Sequence, residues 1–163
     1  MKFNYYALKA IYLHEMDRFR RTLAQSLLSP VLSTSLYFIV FGSVIGGYVQ
    51  KIDGISYGSY IVPGLLMLTL LTQSISNTSF GIFFPKFNGT VYEILAAPIS
   101  TLEIVLAFVG AGATKTLIVG AMIFVTATFF VEVEVKYPIL MIFLLVLVSF
   151  TFALFGFLIG LMS

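Results

Sequence analysis

Residues 85–103 read PKFNGTVYEILAAPISTLE, a polar interruption between two long apolar runs. Within it, Asn88 and Gly89 predict a turn, because both residue types tolerate a positive φ angle. Thr90 and Glu93 have the spacing of a capping box, in which the hydroxyl binds the amide three residues on and the carboxylate binds the cap amide. The stretch therefore predicts a helix that starts between the two apolar runs.

This helix is short. Pro98 ends it at Ala97, since a residue before proline avoids helical angles. Ser100 and Glu103 repeat the capping box at the start of the next apolar run. The resulting segment, 91–97, is about 10 Å long at the helical rise per residue. Such a helix is too short to cross a bilayer and too short to be stable alone, so we expect a partner to hold it.

The composition excludes an ordinary soluble domain. Apolar residues make up 60% of the 163 residues and charged residues 10%, against a usual charged share of about 25%. A chain with so few charged residues can cover the surface of its fold only with lipid. The chain has no cysteine, so it has neither a disulfide framework nor a thiolate metal site. A net charge of +2 is too small to imply nucleic acid as a partner, and we expect no cofactor.

The hydropathy pattern predicts an all-α polytopic bundle in one domain, 1–163. Each of four apolar runs is long enough to span the roughly 20 residues of a bilayer crossing: 27–49, 58–84, 104–131 and 139–162. Pro63 and Gly64 predict a bend in the second span or its true start. Before the spans, residues 4–24 predict an amphipathic helix with an apolar stripe and a basic back; the stripe is Tyr5, Leu8, Tyr12, Met16, Phe19 and Leu23.

We favour an interfacial position for this helix over packing on its own protein. Glu15 falls inside the apolar arc, and we favour an ion pair with Arg18, one turn on, over a contact with a partner protein.

Two features inside the spans could carry function. The second span has a polar half, whose candidate residues are Thr72, Gln73, Ser76 and Asn77. Such groups avoid lipid, and we favour packing between helices slightly over a substrate pathway. Lys115 is the sole charge of the third span, in a sequence that fails to match a phosphate-binding loop. We favour snorkelling or an internal carboxylate partner for Lys115 over substrate contact.

The basic residues predict the orientation. Lys51 and Lys136 fall on one side of the predicted membrane, and a larger set falls on the other: Lys2, Lys9, Arg18, Arg20, Arg21 and Lys86. Because basic residues concentrate in the cytoplasm, the amino terminus and the 85–103 stretch are predicted to be cytoplasmic.

Together these features resemble the permeases of type 2 ATP-binding-cassette (ABC) transporters, over the whole chain. The motifs that carry the resemblance are YIVPGL at 60–65 and YEILAAPIS at 92–100, followed by Glu103. In that family a short cytosolic helix after the second span docks on a separate ATPase. The resemblance gives this coupling role to Val91, Tyr92, Glu93, Ile94 and Leu95. Family members usually have six spans, so the chain is either a fragment or a permease with four.

The resemblance implies a multi-pass permease subunit of an exporter in the bacterial inner membrane, surrounded by lipid and paired as a homodimer. ATP hydrolysis would belong to the partner ATPase, so the chain itself is not expected to be an enzyme. The alternative is a secondary transporter or a channel that uses the polar second span and Lys115. Against it, no intramembrane carboxylate and no inverted second half are visible in the sequence.

Overall fold

The computed structural model describes residues 4–45, 48 and 51–163. Its helices are α1 (Tyr5–Arg21), α2 (Leu23–Val40), α3 (Tyr57–Phe87), α4 (Val91–Ala96), α5 (Thr101–Phe130) and α6 (Pro138–Met162). A π-helical turn, Phe41–Ile45, follows α2, and two short strands, β1 (Lys51–Ile52) and β2 (Ile55–Ser56), precede α3. Of the described helices, α2, α3, α5 and α6 are long and apolar enough to cross a membrane. The predicted all-α polytopic bundle is confirmed.

The observed bounds differ from the predicted spans at several ends. The first predicted span, 27–49, covers most of α2 and the π-helical turn, and its last part includes residues outside the described ranges. The second span does not start at Pro63, because α3 already begins at Tyr57. There the hydroxyl of Ser56 accepts the amide of Ser59 at 3.3 Å and caps the helix. Pro63 is carried inside α3.

The connection from β1 to β2 is a tight hairpin. Lys51 pairs with Ser56, and Ile52 pairs with Ile55. The two residues between the strands, Asp53 and Gly54, both have positive φ, 49° and 84°. This is the backbone that an Asp-Gly hairpin turn requires. The hydroxyl of Ser59 donates to the Glu132 carbonyl at 2.8 Å, which ties this end of α3 to the link between α5 and α6.

The centre of the bundle is formed by α3, α5 and α6. On α3 every fourth residue is buried in a ridge, namely Val62, Leu66, Leu70, Ser74, Thr78 and Ile82. Helix α6 approaches α3 so closely that a Cβ on Gly156 would lie 2.5 Å from the Ile75 carbonyl oxygen. Helix α2 packs mainly against α5 and touches α3 little. A gap therefore remains between α2 and α3.

Helix α1 lies beside the first half of α5 and runs in the same direction. The Asn4 amide donates to the Glu103 carboxylate at its start. Further along, the Tyr12 hydroxyl donates to Thr114 Oγ1 at 3.0 Å. Phe19 is buried, whereas Tyr5 and Leu23, the ends of the predicted stripe, are exposed. One face of α1 thus packs on its own protein, which was the alternative to the favoured interfacial position. An additional contact with the membrane surface stays a prediction.

The two predicted capping boxes have different outcomes. At Ser100 the box is confirmed: its hydroxyl accepts the Glu103 amide at 3.4 Å, and Glu103 Oε2 accepts the Ser100 amide at 2.8 Å. At Thr90 the prediction is wrong, since its side chain makes no cap bond. Thr90 has φ −62° and ψ −20°, already helical, whereas a capping side chain needs the extended region. The Gly89 carbonyl, next to a positive φ of 78°, accepts the Tyr92 amide instead.

Candidate functional site

The short helix α4 lies at one end of the bundle, between the ends of α3 and α5. The Asn88–Gly89 turn enters it, with Gly89 at φ 78°. Ala97 is extended, with φ −72° and ψ 149°, so the helix stops before Pro98 as predicted. The carboxyl end of α6 is at the same end of the bundle, because Lys86 Nζ donates to the Leu161 carbonyl at 2.7 Å.

The five residues to which a coupling role was assigned do not share one environment. Tyr92, Glu93 and Leu95 are exposed, whereas Val91 and Ile94 are half-buried. Ile94 packs against the core cluster that contains Ile82 and Phe108. Ile94 therefore attaches α4 to the bundle, and Tyr92 and Leu95 point away from it.

Two further large apolar side chains are exposed next to α4 in the chain. Phe87 at the end of α3 is 77% exposed, and Leu102 at the start of α5 is 73% exposed. On α4, Tyr92 is 73% exposed and Leu95 64%. We call these four residues the end patch. Tyr92 and Leu95 belong to the predicted set; Phe87 and Leu102 were missed, because residues that end or begin a span look like ordinary span residues.

A polar groove lies between α2 and α3. It encloses a cavity of about 190 Å³, with Thr69, Thr72 and Gln73 on its α3 wall. The α2 wall carries Ser29, Ser33 and Tyr37, which recur at every fourth residue and so share one side of the helix. The predicted Thr72 and Gln73 thus line this groove. The α2 residues were missed, although their regular spacing was visible in the sequence.

The other predicted polar residues of α3 lie close to the groove without lining it. The Asn77 amide donates to Gln73 Oε1 at 3.4 Å, and Ser76 is exposed. Thr72 donates its hydroxyl to the Leu68 carbonyl at 3.0 Å. Ser74 and Thr78, on the opposite side of α3, are buried. The polar half of the second span is therefore divided between a packed face and an open face.

Lys115 is outside the groove. Its ammonium donates to Glu15 Oε2 at 2.7 Å, and both residues are buried, at 5% and 3% exposure. Glu15 also accepts from Arg18 Nη1 at 3.3 Å. The Arg18 contact is the one predicted for Glu15. For Lys115 an internal carboxylate partner was one of the two favoured interpretations, and Glu15 is that partner; only its identity was not predicted. The signal was present, because Glu15 is a carboxylate inside an apolar arc and Lys115 a cation inside an apolar span.

The fold and this site define a polytopic membrane protein with a short, exposed helix at one end of its bundle. Residues 6–163 match the model of the ABC-2 type transporter family. The chain belongs to that family, and it is a multi-pass inner-membrane protein.

Its curated relatives carry a transport name. The inner membrane transport permease YadH of Escherichia coli K12 is 38% identical over 154 residues, which cover 94% of this chain and 60% of the relative. The protein of the same name from Shigella flexneri gives the same identity and coverage. The chain thus spans about three-fifths of the length of these relatives. No solved structure matches it.

Proposed function

We propose that this chain is the membrane-spanning permease part of an ATP-driven exporter, and that a separate ATPase subunit docks on the end patch. The family of the chain and the transport name of its relatives support the permease role. The observation that carries the docking proposal is the exposure of Tyr92 and Leu95 on a helix of 6 residues. A helix this short has little stability of its own, and exposed aromatic side chains are typical anchors of protein interfaces.

The charge distribution supports a cytoplasmic position for the end patch, where an ATPase could reach it. Arg18, Arg20 and Arg21 occupy the last turn of α1, and Lys86 the last turn of α3. Lys51 and Lys136 are near the hairpin and the link between α5 and α6, at the other end of the spans. Basic residues concentrate on the cytoplasmic side of inner-membrane proteins.

For the pathway we propose the polar groove between α2 and α3, completed by a second copy of the chain. Hydroxyl and amide groups in a membrane span avoid lipid, and those of Ser33, Thr72 and Gln73 are on the groove walls. A permease homodimer would cover them and leave a polar route between the copies. Lys115 is not part of this surface, because its ammonium is bound to Glu15. The alternative of an ion or substrate site at Lys115 therefore has little support.

The docking proposal is tested by Tyr92→Ala in the intact protein, assayed by co-purification with the ATPase and by stimulated ATP hydrolysis. We expect docking to weaken by about tenfold or more, as for an aromatic interface anchor. The matched control is Tyr137→Ala, because Tyr137 is also exposed, at 65%, at the other end of the bundle. If Tyr92→Ala co-purifies with the ATPase and stimulates its hydrolysis as the wild type does, Tyr92 is not an anchor of the interface.

Glu93→Gln separates an ion pair with the ATPase from a local role. Because the Thr90 side chain makes no cap bond, replacement of the exposed Glu93 removes no observed capping contact. Weaker docking of this variant would therefore indicate an ion pair across the interface, and unchanged docking would exclude one.

The cytoplasmic position of the end patch is tested with single cysteines. A cysteine at Asn88 should resist an impermeant maleimide in intact cells, whereas one at Asp53 should react.

A further inference from the structure

Three charged side chains meet where α1 crosses the end of α3 that leads to α4. Glu15 Oε2 accepts from Lys115 Nζ at 2.7 Å, and Glu15 Oε1 accepts from Arg18 Nη1 at 3.3 Å. The Arg18 guanidinium lies over the Phe84 ring, 5.2 Å from its centroid. We call Glu15, Arg18 and Lys115 the polar junction.

Glu15 also lies close to a third helix, α3, at Gly81. A Cβ built on Gly81 would lie 3.5 Å from Glu15 Oε2 and 3.6 Å from the Phe108 ring. The carboxylate of α1 thus binds the ammonium of α5 and lies beside Gly81 of α3. Its two oxygens are occupied by two cations, so its position between the three helices is defined from several directions.

The polar junction is continuous with the segment that carries α4. A cavity of about 250 Å³ beside it is lined by His14, Glu15 and Arg18 of α1, by Phe84 and Pro85 of α3, and by Asn88 and Thr90 of the following turn. Arg18 makes its ring contact at Phe84, close to that turn. The side chains of α1 that line this cavity therefore lie next to the turn that enters α4.

A buried ion pair is a poor source of stability, since desolvation offsets much of the attraction, but it strongly disfavours arrangements that leave one charge unpaired. A pair between two helices therefore restricts their relative position more than it stabilises them. This property suits a position where two helices must keep a fixed register.

We propose that Glu15 is a positioning residue, which holds α1 against α5 and the end of α3 and so sets the position of the turn that carries α4. The positional part of this proposal concerns the chain alone. Its consequence, that movement of α4 is transmitted through the polar junction to the spans, rests on the proposed docking of an ATPase.

The positional part is tested by cross-linking across the cavity. The chain has no cysteine, so His14→Cys with Asn88→Cys gives one defined pair in the intact protein in membranes. A short bismaleimide should join the two sites efficiently when α1 lies against the turn. In this background we expect Glu15→Gln to lower the cross-linking rate about tenfold, because it leaves the buried Lys115 ammonium without its carboxylate. Lys115→Met should lower the rate less, because Glu15 keeps its contact with Arg18. Asp17→Asn and Lys9→Met, the same changes at exposed positions of α1, should leave the rate unchanged.

The double variant Glu15→Gln with Lys115→Met separates positioning from stability. It removes both charges, so membrane levels and thermal stability should recover relative to the single variants. The cross-linking rate should stay low, because the ion pair no longer fixes α1 beside the end of α3, although Asn4 and Tyr12 still bind α5. A wild-type rate in the double variant, or in either single variant, would overturn the proposal; if the single variants fail to accumulate, the double variant decides.

Coupling between the permease and the ATPase is measured in a separate assay. The assay compares the ATP hydrolysis that each variant stimulates, at equal amounts of the assembled complex. We expect the double variant to co-purify with the ATPase and to lose most of the stimulation. A low cross-linking rate with full stimulation would overturn the transmission role. If the unmodified protein binds no ATPase, the proposed function fails, and the cross-linking result still decides whether Glu15 positions α1.

Discussion

The two faces of α3 carry similar residues at the same spacing and have opposite surroundings. On the packed face Leu70, Ser74 and Thr78 are buried against the bundle. On the open face Leu68, Thr72 and Ser76 recur with the same interval and are exposed. Serine and threonine therefore occur on both faces, and their presence in a membrane span does not indicate which face is lined by other helices.

The helices opposite the two faces account for the difference. Opposite the packed face are glycines: Gly156 and Gly160 of α6 face the backbone of Ile75 and Ser79, and Gly112 of α5 faces Thr78. Close approach through small residues is the usual basis of helix packing in membranes. Opposite the open face, α2 presents Ser33 and Tyr37 across the groove. The residue types of the facing helix thus decide whether a hydroxyl of α3 is packed or open.

The largest effect is expected from a methyl group on the packed side. Gly156→Ala places a Cβ 2.5 Å from the Ile75 carbonyl oxygen and 2.8 Å from its Cα, so backbone must move. Such overpacking costs about 1–3 kcal/mol, and the thermal midpoint of the purified protein should fall accordingly. The control, Gly64→Ala, meets nothing within 4 Å on the open side of α3 and should be neutral or slightly stabilising. Equal midpoints for the two variants would contradict the close approach of α6.

A second expected effect concerns access of water rather than stability. Thr72 and Thr151 are both exposed and both donate to the carbonyl four residues before them, at 3.0 and 2.8 Å. Thr72 lines the groove, whereas Thr151 is on α6. Thr72→Cys should react about tenfold faster than Thr151→Cys with a water-soluble thiol reagent, since a thiol reacts as its thiolate, which needs water. Equal rates would mean that the groove is no more hydrated than a lipid-facing helix.

Local patterns predicted much of this fold, whereas the partners in contacts between distant segments were not identified. The apolar runs located the membrane helices, and the Ser100 box was confirmed because both partners are within one helical turn. At Thr90 the same pattern was wrong, since the turn at Gly89 had already placed Thr90 in helical angles. Glu15 and Lys115 are 100 positions apart, and no spacing rule connects them. The same limit applied to the groove, whose walls belong to separate helices.

The smallest expected effect tests whether the buried hydroxyls of α3 contribute anything. Ser74 Oγ is buried and finds no hydrogen-bond partner within the part of the chain that the structure describes. Ser74→Ala removes an unsatisfied polar atom and leaves the backbone contacts in place. Because an unpaired buried hydroxyl costs about 1–3 kcal/mol, the thermal midpoint should stay constant or rise slightly.

Ser76→Ala is the control for this change, since Ser76 is exposed on the open face of the same helix and should be neutral. A clear fall in the midpoint of Ser74→Ala alone would show that its hydroxyl does have a partner, and the backbone carbonyl of Leu70, one turn before it, is the nearest candidate in an α-helix. In that case the packed face would be stabilised by hydrogen bonds as well as by shape. If both variants are neutral, close packing against the glycines of α5 and α6 is sufficient, and the serine is present because it is small.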